Sequence, residues 1–376
     1  MSERAYRTAF LDWLACAARG GREPAARAAR QLGDGLAERV TALGTAGHVL
    51  DFDDTHAPSL VHLSAATAPA SLVLGAELGA TVGEVLDAYG EGFEAMAEVA
   101  IVNHPGLRER GWHPTAVCGV VGAAVAGARL LGLDGDDREH AVRLALLRAG
   151  GLHAAFGSDG KALQVGMASA AGAVAARLAA AGASAGPEVY GGFEEAFGAS
   201  WPAGGLGAHG AVDQNWIKAY PCCLQTHGAI EAAARVGHVP EGRIDVIVHP
   251  VSVRTAWRTD VSTGLEAKFS IPYLTAFTLL HDSPTVDSFA GVDRDASALA
   301  ADGVVVRTSD SLRESEAVIE VGGVELARVE AALGSPERPM DDAALAAKVR
   351  DLAGTRLDGA LDDPARPARE LLDLAS

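Results

Sequence analysis

Three long stretches, 116–132, 136–150 and 162–184, carry alanine at a density that suits helices packed at close range. Alanine is the best helix former, but its side chain covers little area. Such helices are stable when buried on several sides, so these stretches predict a compact body of many helices. Ordinary amphipathic helices accompany them. Leu36, Val40, Leu43, Gly47 and Leu50 step by three and four, as do Leu86, Phe93, Met96 and Ala100. Two polar stretches interrupt the helical pattern: 51–62 (DFDDTHAPSLVH) and 199–221, which contains Gly and Pro and ends in KAYP. Both read as loops lining a site.

The texture changes at Val239-Pro240. Ile244, Val246 and Val248 alternate in a strand pattern, 303–307 (GVVVR) is a second β run, and 317–330 reads as a hairpin around Gly322-Gly323. Between them, 265–281 predicts a helix capped by Ser270, with Pro272 in its first turn. After Pro339 the helical pattern returns through Leu345, Val349 and Leu352, then Leu371 and Leu372. The expected fold is mainly α: a large helical domain over 1–238, a smaller inserted α+β lid over 239–340, and helices over 341–376 that rejoin the first domain.

The 31 basic and 49 acidic residues give a net charge of −18. That charge opposes binding to nucleic acid or an anionic membrane. The N-terminus lacks the basic-then-apolar order of a signal peptide. No apolar run reaches the roughly 18 residues expected of a membrane span. Cys16, Cys118, Cys222 and Cys223 form no CxxC pair. Reduced thiols and a cytoplasmic location are therefore expected.

Five polar clusters stand out. Asp51-Phe52-Asp53-Asp54-Thr55-His56 puts three carboxylates in four residues, with His62 following. Such a group needs cations, hydrogen bonds or a metal. Helix capping, Mg²⁺ binding and the acid motif of a carbocation cyclase are the alternatives, although 5% aromatic residues is sparse for a cyclase. His113 in Gly111-Trp112-His113-Pro114-Thr115 is either a helix cap or an acid–base group. Lys161 heads an apolar helix after Gly157-Ser158-Asp159-Gly160, where a carboxylate would gain both an ammonium and a helix N-terminus. The segment Lys218-Ala219-Tyr220-Pro221-Cys222-Cys223 with His227 offers a lysine and a conceivable Cys–His pair. Lys268-Phe269-Ser270-Ile271-Pro272-Tyr273 offers Tyr273, expected to point at the helical body. No zinc-ligand spacing is present.

In this order the clusters resemble the MmgE/PrpD family, which includes 2-methylcitrate dehydratase, cis-aconitate decarboxylase and iminodisuccinate epimerase. The resemblance rests on HVLDFDDTH (48–56), GWHPT (111–115), the GxxxK-then-helix (157–174), KAYPCC (218–223) and AKFSIPY (267–273). It implies a helical domain with an α+β lid, a homodimer, no metal, no cofactor and a small anionic carboxylate substrate. It also implies Asp51, His113, Lys161, Lys218 and Tyr273 as catalytic residues, with Thr55 and His62 binding substrate. The chemistry implied is proton handling next to a carboxylate, with the lysines neutralising an enolate as it forms. His113 is expected to transfer the proton, with Asp51 as its counterpart and Tyr273 donating to a leaving oxygen. Dehydration of a hydroxy acid is the first expectation, followed by decarboxylation and epimerisation. A non-catalytic binding protein comes last.

Overall fold

A computed structural model describes residues 2–207 and 210–375. Ala208 and His209, inside the expected loop 199–221, lie outside the described residues. The chain is mostly helical. Its first body is built from the helices Leu36–His48, Leu63–Leu78, Val82–Val102, Pro114–Leu130, Gly135–Leu146 and Gly160–Ala180. Pro114–Leu130 lies centrally, against Leu63–Leu78, Val82–Val102 and Gly160–Ala180.

Small residues set the spacing of these helices. A Cβ at Gly172 would stand 2.5 Å from Val120 O and 2.5 Å from Ala123 Cβ. At Gly166 it would stand 2.4 Å from Thr41 O. The alanine- and glycine-rich composition is thus a packing requirement, because backbone faces backbone where these helices cross. Gly172→Ala is expected to destabilise the protein by roughly 2 kcal/mol, through overpacking against a rigid carbonyl. The check is a lower urea midpoint with an unchanged m value. Gly160–Ala180 is also long and apolar enough by composition to cross a membrane, which corrects the expectation that no run would be. Here its apolarity is used in packing between Leu36–His48 and Pro114–Leu130.

Among the described residues six strands complete the architecture: β1 (Thr55–His56), β2 (Asn215–Trp216), β3 (Ile244–Val248), β4 (Val304–Thr308), β5 (Ala317–Val321) and β6 (Val324–Val329). The last four form one sheet in the order β4-β3-β5-β6. β3 runs parallel to β4 and antiparallel to β5. β5 and β6 form the expected hairpin, with Gly322 and Gly323 at φ of +59° and +82°, the backbone that a tight primed turn requires. The expected helix over 265–281 divides into Gly264–Ala267 and Ile271–Leu280. The break falls at Ser270, whose Oγ accepts from Tyr273 N at 3.2 Å.

The composition change at 239 does not mark the edge of this second body. Helix His227–Val236 packs on β5, β6 and Ile271–Leu280. Its Ala229, Ile230, Ala232 and Ala233 share a core with Ile244, Val246 and Ile319. The apolar face of that helix needs the sheet, so the second core starts upstream, at Trp216 and Cys222. Leu345, Val349, Leu352, Leu371 and Leu372 join the first core with Phe10 and Trp13.

Candidate active site

The two expected loops meet. β1 and β2 pair antiparallel, Thr55 opposite Trp216 and His56 opposite Asn215. Two buried lysines reinforce the junction. Lys348 Nζ donates to Phe52 O at 2.8 Å and Lys218 O at 2.9 Å, and lies 2.6 Å from the Asp12 carboxylate. Lys268 Nζ donates to Leu50 O and, at 2.9 Å, to Pro221 O. Between these ties Asp51 has φ +54°, a left-handed conformation that costs about 1 kcal/mol or more for a residue with a side chain.

That conformation turns the Asp51 carboxylate to two ammonium groups. Oδ1 accepts from Lys161 Nζ at 2.7 Å and from Lys218 Nζ at 3.0 Å, and Lys218 Nζ also reaches Asp51 O at 2.9 Å. Oδ2 is buried and has no partner among the described residues. Burial alone would raise the Asp51 pKa, but Lys161 and Lys218, helped by His62 and His48, hold it well below the usual carboxylate range. The other two carboxylates of the cluster have different partners. Asp53 faces His48 and His62, which overcome the effect of burial and keep it ionised. Asp54 accepts from the neutral groups Ser64 Oγ and Asn215 Nδ2, both at 2.6 Å, and burial raises its pKa to about 7. A cyclase acid would have to be protonated and face the cavity; Asp51 lines it but is ionised, and Asp54 is not among its lining residues, so neither suits that alternative.

The hydrogen-bond network fixes three imidazole tautomers. Gln164 Oε1 accepts from Leu152 N at 2.8 Å and Gln164 Nε2 donates to Leu152 O at 3.2 Å, which orients the amide. The same Nε2 donates to His113 Nδ1 at 2.5 Å. The proton of His113 is therefore on Nε2, a buried atom without a protein partner. His62 Nδ1 lies 2.8 Å from the carbonyl Asp54 O and must donate to it, so its Nε2 keeps a lone pair. His48 donates from Nδ1 to Asp53 at 2.8 Å and accepts from Lys161 at 3.0 Å. Burial, with the nearby lysines, pushes His62 down to about 3 and His113 well below the ordinary histidine value, so both are neutral at pH 7.

Asp51, Thr55, His62, His113, Lys161 and Lys218 all line one cavity. Tyr273 does not. Its ring is buried in the second core and its hydroxyl accepts from Asp293 N at 3.0 Å. Helix Ile271–Leu280 packs on His227–Val236 and β4, so its first turn faces its own sheet body, which corrects the expectation that Tyr273 points at the helical domain. The Cys–His alternative also loses its support, since burial pushes the thiols of Cys222 and Cys223 up to about 12 and about 11.

Sequence reading left several site residues unassigned. His48 lies inside a quoted motif and Gln164 one helical turn after Lys161, so both had a positional signal. Lys348, Asp12 and Arg108 had none. His48, Asp53 and His62 offer metal-ligand atoms within 4.8 Å of one another. His48 Nδ1 already bonds Asp53, His62 Nδ1 donates to Asp54 O, and the Lys161 ammonium stands at His48, an arrangement that disfavours a divalent cation.

The MmgE/PrpD N-terminal domain matches residues 38–200 and the MmgE/PrpD C-terminal domain matches 220–373. Cis-aconitate decarboxylase of Aspergillus terreus is 32% identical over 272 residues, covering 62% of this chain and 55% of the relative. Cis-aconitate decarboxylase of Homo sapiens is 28% identical over 269 residues, covering 65% of this chain and 56% of the relative. The Mus musculus enzyme of the same name is 29% identical over 269 residues, covering 65% and 55%. The chain thus spans little more than half the length of these relatives. Two domain matches of one family, over residues 38–200 and 220–373, establish that the chain belongs to the MmgE/PrpD family.

Proposed function

We propose that the chain is a lyase that decarboxylates a small unsaturated polycarboxylate of the cis-aconitate kind. The observation that carries this reading is the imbalance of donors over bases in the cavity. Lys161, Lys218 and His113 Nε2–H present protons, whereas the bases are weak: Asp51 is held ionised by two cations and the pKa of His62 is about 3. Abstracting a proton next to a carboxylate demands a stronger base. Decarboxylation does not. The bond between carbon and its carboxylate breaks, CO₂ leaves, and the electron pair passes into the neighbouring conjugated carboxylate. Lys161, Lys218 and His113 Nε2–H stabilise that charge as it develops, and an ammonium N–H returns a proton to carbon. A neutral imidazole acting as donor in place of base is an established device. The names of the relatives agree with this reading.

Dehydration of a hydroxy acid is the second reading, favoured by the lone pair on His62 Nε2. There His62 takes the proton and Lys161 protonates the departing hydroxyl. CO₂ release from cis-aconitate tests the first reading directly, and its absence together with alkene formation from a hydroxy acid would select the second.

Gln164→Glu probes the role of His113. A carboxylate at 164 accepts a hydrogen bond from His113 Nδ1–H, which holds the ring proton on Nδ1 and moves the lone pair to Nε2. The expected result is a fall in kcat of about 10²-fold, the loss typical of one transition-state donor, with KM changing little. An undiminished kcat would show that the Nε2–H has no part in the chemistry.

A further inference from the structure

Arg108 lines the same cavity from the short helix Gly106–Glu109. Its Nη1 donates to Thr255 Oγ1 at 2.7 Å, and its Nη2 donates to Arg254 O at 3.0 Å and lies 3.4 Å from His153 Nε2. Burial pushes His153 down to about 4, so it is neutral, and all three partners are uncharged at pH 7. Among the described residues no carboxylate pairs with this guanidinium, in a chain that carries 49 acidic residues. A half-buried arginine without a counterion is costly unless a ligand supplies one. The three protein contacts occupy both Nη2–H groups and one Nη1–H, which leaves Nε–H and the other Nη1–H to donate to carboxylate oxygens.

The position of Arg108 relative to the lysines suggests what it receives. The ring of His153 packs on Phe156 with centroids 4.3 Å apart, and Lys161 Nζ lies 5.4 Å from the Phe156 ring on the Asp51 side. One cavity therefore holds two cationic centres with an aromatic surface between them. That suits a short carbon skeleton with a carboxylate at each end. We propose that Arg108 receives a second, non-reacting carboxylate of the substrate and makes the site selective for polycarboxylates over monocarboxylates. This rests on the reading of Lys161 and Lys218 as the centre for the reacting end.

The test uses tricarballylate, a saturated tricarboxylate without the conjugated double bond or hydroxyl that the proposed reactions use, and butyrate, its monocarboxylate counterpart. Binding is followed by the ligand-dependent rise in melting temperature. Arg108→Gln is expected to raise the Kd for tricarballylate about 10-fold or more and to narrow its advantage over butyrate, because a charge-assisted contact is lost. Arg108→Lys, which keeps the charge without the fork, should fall between the two and also guards against misfolding of the Gln variant. Unchanged tricarballylate binding in Arg108→Gln would overturn the proposal. Equal weakening of both ligands would do the same, because it would mark a merely structural role, as would a wild-type protein that does not distinguish them. Failure of the decarboxylase reading looks different: tricarballylate binds, discrimination depends on Arg108, and cis-aconitate releases no CO₂.

Discussion

Lys161→Ala is expected to lower kcat by about 10³-fold while the protein stays folded, the upper end of what one preorganised charge supplies in a transition state. Lys161 heads the helix Gly160–Ala180 at the cavity wall, against Asp51 Oδ1, His48 Nε2 and the faces of Phe156 and Phe269. Its ammonium has three N–H groups and the protein uses two, leaving one for a ligand. Removing it leaves Asp51 paired with Lys218, so the buried carboxylate keeps a counterion and the fold keeps its junction. A large loss of rate with a nearly unchanged melting temperature is the signature. A kcat within a few-fold of wild type would remove the electrostatic basis of the mechanism.

Asp51→Asn is expected to act mainly on stability. It leaves two buried ammonium groups without the anion between them, and breaking a buried pair in this way costs about 3–5 kcal/mol. A second substitution, Lys218→Met, should recover part of that loss by removing one uncompensated charge, although it also removes the contact to Asp51 O. The pH dependence has a definite sign. The Asp51 pKa is lower in the folded protein than its ordinary value of 3.8. Its stabilising contribution is therefore complete above that value and disappears as pH falls through the lower, folded value. Asp51→Asn should flatten this part of the acid-denaturation curve. Wild-type stability in Asp51→Asn, with the same acid limb, would show that the carboxylate does not hold the lysines.

Much of this site was legible because its residues sit in short, polar, motif-bearing segments within apolar sequence. Asp51, His113, Lys161 and Lys218 announce themselves by contrast with their alanine-rich surroundings. The stripes at Leu36–Leu50 and Leu86–Ala100, the hairpin at Gly322-Gly323 and the cap at Ser270 follow local rules of periodicity and turn chemistry. What local rules do not specify is long-range direction. Tyr273 follows the Ser270 cap as predicted, yet its orientation depends on how the whole helix packs on the sheet. Helix His227–Val236 reads as a continuation of the helical body, and only its contact with β5 and β6 assigns it to the second core. Lys348 looks like an ordinary surface lysine on an amphipathic helix. Burial against Asp12, far away in sequence, makes it a tie between Phe52 and Lys218. The protonation pattern was equally hidden. His113 carries its proton on Nε2 because of Gln164 and Leu152, a relation visible only in three dimensions.

The most direct measurement is proton NMR in D₂O of wild-type protein and Lys161→Ala, each incubated with cis-aconitate, citrate and 2-methylcitrate. The account predicts that wild-type protein converts cis-aconitate to a product one carboxylate smaller. That product should show a new alkene signal and one solvent deuteron on carbon, and the variant should form almost none. Citrate and 2-methylcitrate should persist. Loss of water from either hydroxy acid with cis-aconitate untouched, or solvent exchange without a new alkene, would contradict the decarboxylase reading.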